Sequence, residues 1–219
     1  MKNAMKERPI LFSAPMVRAI LAGTKTQTRR IVKPHRNDDS FVLEDHGYGW
    51  WPYRSEDGES SVMSDGCEYR LPCPYGAIGD QLWVRETLEV VPNWGMLFYV
   101  ASGPDEYKIT DPRADALIEK YGDHYHANDG KRIPSIYMPR WASRITLEIT
   151  NVRVERLQEI SEEDAIAEGA KPYLLPVHPA RESLRHVDGY AQLWEQINGP
   201  GSWDANPWVW VVCFRRVSP

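Results

Sequence analysis

The sequence predicts an α+β protein: a small β-barrel or rolled mixed sheet with short helices at its connections. Three observations lead there. Strand-like apolar runs recur at 81–91, 96–101, 145–154 and 208–217, and the last is apolar throughout, as expected of a strand covered on both faces. Helical periodicity is brief and scattered, with no sustained strand–helix–strand alternation and no internal repeat. Nine Trp and eleven Tyr against four Phe suit large cross-strand pairs, or half-buried surfaces that stack planar ligands.

The elements follow in order. A first apolar strand covers 10–12. Ser13 stands as an N-cap, with Pro15 in the first turn, where a missing N–H costs little. Met16, Val17, Ile20 and Leu21 share a helical face, and Gly23 supplies the left-handed residue that ends the helix. Lys25, Arg29 and Arg30 then crowd into six residues with Thr24, Thr26 and Thr28 among them, and Pro34 closes this basic strand. Core packing does not call for that composition.

Residues 35–72 form a long polar excursion with one hairpin around Trp50, Trp51 and Tyr53. A turn cluster at 73–80 leads into a strand at 81–91, with Leu82 and Val84 on one face and Trp83 and Arg85 on the other. Residues 93–95 turn, and 96–101 pair back. A second excursion, 103–135, holds a short helix with Ala114, Leu117 and Ile118 inward. Residues 135–144 enter a long strand in which Ile145, Leu147 and Ile149 alternate with polar residues. After Asn151 the apolar parity shifts to Val152 and Val154, the mark of a bulge or a bend. Ser161 opens a capped helix with Ile160 as staple, running through Glu168 to Gly169. After a loop at 171–187, Asp188 caps a helix whose Tyr190, Leu193, Trp194 and Ile197 form one face, and Gly199 ends it. The count is five to seven strands in a single domain of 219 residues.

A net charge of −5 argues against bulk electrostatic binding to long nucleic acid but leaves room for a small basic pocket. The start of the chain is polar and no apolar run approaches ~18 residues. Cys67, Cys73 and Cys213 are odd in number. The expectation is a reduced, cytoplasmic protein, monomeric, with no membrane partner and no cofactor. Cys67 and Cys73, with His35 and His46, match no zinc spacing, and His124 and His126 read as solvated. Phosphate-loop, dinucleotide-fingerprint and nucleophile-elbow motifs are missing from the sequence.

Three constellations can carry chemistry. Lys25 with Thr28 offers a hydroxyl nucleophile and a base whose pKa burial can depress; the alternative is a solvated basic strand. In a regular strand these two positions face opposite sides, so they converge only if Lys25 still lies in the turn. Glu168 sits in the last turn of a helix, where a negative charge meets the negative dipole end. Stability does not explain that placement, whereas a proton-donating acid profits from it; the alternative is an exposed helix end. Trp83 and Arg85 can stack and clamp a planar base, or pack as ordinary cross-strand neighbours. Glu86 points the other way and can partner Arg30 or Arg144.

Ile20-Leu-Ala-Gly-Thr-Lys25-Thr-Gln-Thr28-Arg-Arg30 resembles the signature of the ASCH domain, a PUA-like β-barrel family, most of all its longer phage and prophage versions. The resemblance extends to Cys73-Pro-Tyr-Gly76, Gly79-Asp-Gln-Leu-Trp-Val-Arg-Glu86, 135–144, 160–169 and the final strand, in order along most of the chain. It implies a PUA-like small mixed barrel with inserted excursions at 35–72 and 103–135. Some small bacterial members are N4-acetylcytidine amidohydrolases. Carried over, their lysine falls on Lys25, their threonine on Thr28, their closing arginine on Arg30 and their glutamate on Glu168, with Glu162 and Glu163 as neighbouring alternatives. In that reading Thr28, Lys25 and Glu168 are catalytic, and Arg30, Tyr75, Trp83, Arg85 and Glu86 contact a modified nucleoside. The family's other use of the fold implies an RNA-binding module, with or without nuclease activity; a non-catalytic accessory protein is the third reading.

Overall fold

The computed structural model describes residues 5–33, 41–45, 50–54, 71–91, 95–102, 108–122, 131–174 and 184–217. Its strands are β1 (Glu7–Leu11), β2 (Gln27–Ile31), β3 (Phe41–Asp45), β4 (Trp50–Arg54), β5 (Gln81–Arg85), β6 (Leu88–Val91), β7 (Met96–Tyr99), β8 (Lys131–Ile133), β9 (Thr146–Arg156), β10 (Tyr173–Leu174), β11 (Leu184–Arg185) and β12 (Trp208–Val217). The helices are α1 (Ala14–Leu21), α2 (Ala114–Gly122), α3 (Glu162–Ala167) and α4 (His186–Asn198). The class is α+β, as the sequence predicts. The main sheet is mixed, in the order β1-β5-β9-β12-β2, with β1 parallel to β5 and the β5–β9 and β12–β2 pairs antiparallel. That order is an open row, so the described residues form no closed barrel. Pro34, Cys67, Trp94, the four histidines at 35, 46, 124 and 126, most of the excursion 35–72 and parts of the excursion 103–135 lie outside the described residues.

The chain falls into two compact units: described parts of 1–25, 79–148 and 214–219 make one, and described parts of 26–78 and 149–213 make the other. In the first unit, α1 buries Val17 and Ile20, and Phe12 packs on Phe214 with ring centroids 6.1 Å apart. Ser13 occupies the cap position without a side-chain bond, so Pro15 and the apolar face set this helix start. The expected single strand at 81–91 is two strands in different sheets. β5 stays in the main sheet, while β6 pairs with β7 and β8. The break falls at the buried Glu86, whose peptide N–H donates to Met138 Sδ at 3.1 Å. Over β6–β8 lies α2, with Leu88, Leu97, Ile109, Ala114 and Ile133 in one core, as the inward face of α2 predicts.

Residues 135–144 do not enter a strand. Two 3-10 turns, Ser135–Tyr137 and Arg140–Ala142, occupy this stretch. Pro134 and Pro139 start them, with fixed φ and carbonyls that accept from Tyr137 N at 2.9 Å and Ala142 N at 3.1 Å. The expected parity shift in β9 is present: Leu147 and Ile149 are buried, Thr150 and Asn151 are both exposed, and Val154 is buried again.

In the second unit β12 is a central strand, and β3 and β4 form the expected hairpin. The helix expected to start with Asp188 as cap begins two residues earlier, at His186. Its inward face is Tyr190 and Trp194, whereas Ile197 is 54% exposed. Strands such as β8, β10 and β11, only two or three residues each, raise the described count to twelve; they are too short to leave a periodic signal.

Gly189 shows how closely α4 approaches the chain beside it. A Cβ at this position would stand 1.9 Å from the Lys171 carbonyl oxygen and 3.4 Å from Tyr173 N. Backbone cannot yield as a flexible side chain can. Replacing Gly189 by Ala is expected to destabilise the protein by about 1–3 kcal/mol despite Ala's better helix propensity; a denaturation midpoint equal to or above that of the parent would contradict this packing.

Candidate functional site

The first candidate side chain is placed by the end of α1. Gly23 adopts φ +75°. Its N–H donates to Ile20 O at 3.0 Å, and Thr24 N donates to Ala19 O at 2.9 Å, the paired bonds of a Schellman closure. Lys25 N reaches the same Ala19 carbonyl at 3.1 Å, as does Thr24 Oγ1. Lys25 therefore belongs to the turn, two residues ahead of β2, and strand alternation does not govern its direction. It is buried, with Nζ 5.7 Å from the centre of the Phe12 ring.

Thr28 lies in the second unit, buried in β2 opposite Val212. Alternation along β2 puts Gln27 and Arg29 on one face and Thr28 and Arg30 on the other. Gln27 Nε2 donates to Asp164 O at 2.9 Å, and Cys213 Sγ donates to Gln27 Oε1 at 3.6 Å.

Arg29 is the hub of this unit. Its side chain is fully buried and meets three carboxylates: Glu155 Oε1 at 2.5 Å, Asp164 Oδ2 at 2.7 Å and Glu168 Oε1 at 3.4 Å. Arg153 closes the lattice, donating to Glu155 Oε2 at 3.0 Å and Asp164 Oδ2 at 2.6 Å. Two guanidinium groups thus face three carboxylates, a formal excess of one negative charge. Burial works against the Arg29 cation, but the charges of Glu168 and Glu155 outweigh it and raise its pKa. Burial likewise opposes the Asp164 carboxylate, yet Arg29 and Arg153 hold its pKa below the ordinary value.

Glu168 follows α3 as its C-cap and is 3% exposed, so the exposed-end alternative does not describe it. Tyr190 of α4 presents its ring 5.9 Å from the Arg29 Cζ. Burial, then the Glu168 charge, pushes the phenol far up, and it remains protonated. Tyr75 and Arg30 are electrostatic neighbours: burial raises the Tyr75 pKa and the Arg30 charge partly offsets this.

The remaining predicted contacts fall in the first unit. Arg85 lies over the Trp83 ring at 4.6 Å, confirming their shared face, and Arg140 lies over the same ring at 5.7 Å. Arg140 is also ion-paired with Glu7. Of the two partners open to Glu86 in the sequence, the structure gives Arg144, with both Nε–Oε1 and Nη2–Oε2 at 2.9 Å. Arg144 in turn stacks 4.0 Å from the Tyr99 ring centre.

Glu155, Arg153 and Asp164 have no role in the sequence expectations, and Tyr190 appears there only as part of a helix face. Two signals bear on them. Arg153 and Glu155 are two apart, on one face of a strand; Asp164 and Glu168 are four apart, on one side of a helix end. Tyr190 carried no such signal, because its spacing reads as core.

Compared with protein-family models, with curated proteins and with solved structures, the chain gives no significant match. No described helix is long and apolar enough to cross a membrane.

Arg29→Met leaves three neighbouring carboxylates without their shared cation. It is expected to lower stability by about 3–5 kcal/mol. Arg29→Lys is expected to recover little of this, because a point charge cannot bridge three carboxylates as a planar fork does. The Asp164 pKa is lower folded than unfolded, so its contribution is present above the unfolded value of 3.8 and is lost as pH falls through the folded value. Asp164→Asn should therefore flatten the acid limb of the stability–pH curve; an unchanged limb would show that Arg29 does not hold this carboxylate.

Proposed function

We propose that the protein is an amidohydrolase that removes an N4-acyl group from a modified cytidine or a similar nucleoside amide, using Thr28, Lys25 and Glu168. The distribution of buried polar side chains carries this reading. Among the described residues, the buried polar or charged side chains are Lys25, Gln27, Thr28, Arg29, Glu86 and Glu168. Four of these six fall within five consecutive positions. Burying such groups is costly, and an apolar core has no need of them. Gln27, Arg29, Glu86 and Glu168 all have partners described above. Lys25, Thr28 and Glu168 are the three that the ASCH resemblance makes catalytic. A PUA-like arrangement of the main sheet belongs to the same proposal.

Thr28 Oγ attacks the acyl carbonyl carbon while Lys25 Nζ takes its proton. The tetrahedral intermediate collapses and the C–N4 bond breaks, and the proton taken up by Lys25 passes to the departing amine, with Glu168 as the relaying acid. Water then hydrolyses the Thr28 ester, releasing the carboxylic acid and restoring the hydroxyl. Arg30, with backbone N–H groups, steadies the oxyanion. Tyr75 and Trp83 stack on the base, with Arg85 beside Trp83 on the same face, while Glu86, on the other face and bound to Arg144, acts only through that pair. A cytoplasmic setting with no cofactor fits this chemistry.

The test pairs N4-acetylcytidine with single-stranded RNA. The parent should release cytidine and acetate, and Lys25→Ala, Thr28→Ala and Glu168→Gln should each lower kcat/KM by at least ~10²-fold while remaining folded. Absence of turnover together with RNA binding that weakens steeply with salt would replace the enzyme with an RNA-binding module.

A further inference from the structure

Glu162 opens α3, yet its carboxylate serves another helix. Ser161 already caps α3, its Oγ accepting from Asp164 N at 3.1 Å. The cap position of α4 is held by Arg185, whose side chain has no acceptor to offer. Glu162 fills that need from outside: Oε2 accepts from His186 N at 2.8 Å, and Oε1 accepts from Arg185 Nε at 3.2 Å. Partial burial opposes its charge, but the peptide N–H groups of His186 and Val187 and the Arg185 side chain outweigh that, so it stays ionised. Asp164 and Glu168 reach Arg29 from the α3 segment, and Tyr190 lies over Arg29 from α4. One carboxylate thus ties together the two helices that converge on the hub, and Gly189 lets α4 close on residues 171–173.

We propose that Glu162 is a positioning residue, a cap borrowed by α4 from α3 that fixes Glu168 and Tyr190 together around Arg29 without touching substrate. The inference rests on the amidohydrolase reading for its catalytic consequence and on geometry alone for the rest. It also separates Glu162 from Glu168, since a carboxylate engaged with a helix start is not the proton donor.

The test uses the full chain as parent, Glu162→Ala and Glu162→Gln, with tyrosine labelled at the ring carbon bearing the hydroxyl. Tyr190→Phe identifies the Tyr190 signal, which senses the neighbouring Arg29 and Glu168 charges. With Glu162→Ala, the Tyr190 signal should shift or broaden, and kcat on N4-acetylcytidine should fall roughly ten- to a hundredfold with KM unchanged. Glu162→Gln, whose amide oxygen still accepts from His186 N, should restore both in large part. A lowered melting temperature with signal and kcat unmoved overturns the proposal, as does a moved signal with unaltered kcat in an active parent. If the parent has no activity, the amidohydrolase reading fails by itself, and the Tyr190 signal alone decides whether Glu162 organises the hub.

Discussion

The buried guanidinium of Arg29 is the constraint on which the second unit depends. Removing an arginine from water is costly, and the cost is met only where carboxylates surround it with good geometry. Here they come from β9, from α3 and from the residue that caps α3. Each must be correctly placed for the cation to be tolerated. The lattice therefore selects one arrangement of strand and helix more strongly than apolar packing alone would. Apolar contacts among Leu157, Ile160, Ala165, Tyr190 and Trp194 supply bulk stabilisation around it. They are less selective, because aliphatic cores accept many packings.

The same device explains how a carboxylate comes to be buried at a helix end. Glu168 meets the negative end of the α3 dipole, which disfavours its charge, and an arginine on the neighbouring strand compensates. The first unit has a counterpart in Glu86, Arg144 and Tyr99, where a single cation with bidentate geometry satisfies one carboxylate. That ensemble supports the break between β5 and β6.

Local signals were legible in the sequence and distant ones were not. The end of α1 at Gly23, the Ser161 cap, the β6–β7 hairpin and the inward face of α2 all follow from residues within one or two turns of each other. The strand at 81–91 was read as continuous because apolar alternation persists across Glu86, and only a partner 58 residues away reveals the break. The start of α4 was misplaced for the same reason: its cap is 24 residues upstream. At 135–144 the prolines were visible, but the 3-10 turns they nucleate carry no periodicity. Lys25, Thr28 and Glu168 are chemically odd in the sequence itself, whereas the cluster of Arg29, Arg153, Glu155, Asp164 and Glu168 requires a fold to assemble it.

Lys25 and Arg29 are held by contacts of very different sequence separation. The Lys25 turn closes through bonds to Ala19 and Ile20, within a single short loop. Closure over so few residues takes well under a microsecond once α1 forms. Arg29 sits only four positions later, yet its carboxylates lie 126, 135 and 139 residues away along the chain. Loop closure on that scale is slow and belongs to the last, cooperative stage of folding. During synthesis the turn would thus be complete long before any partner of Arg29 has left the ribosome. In that interval the cation of Arg29 is still solvated by water, and its burial waits for the second half of the chain.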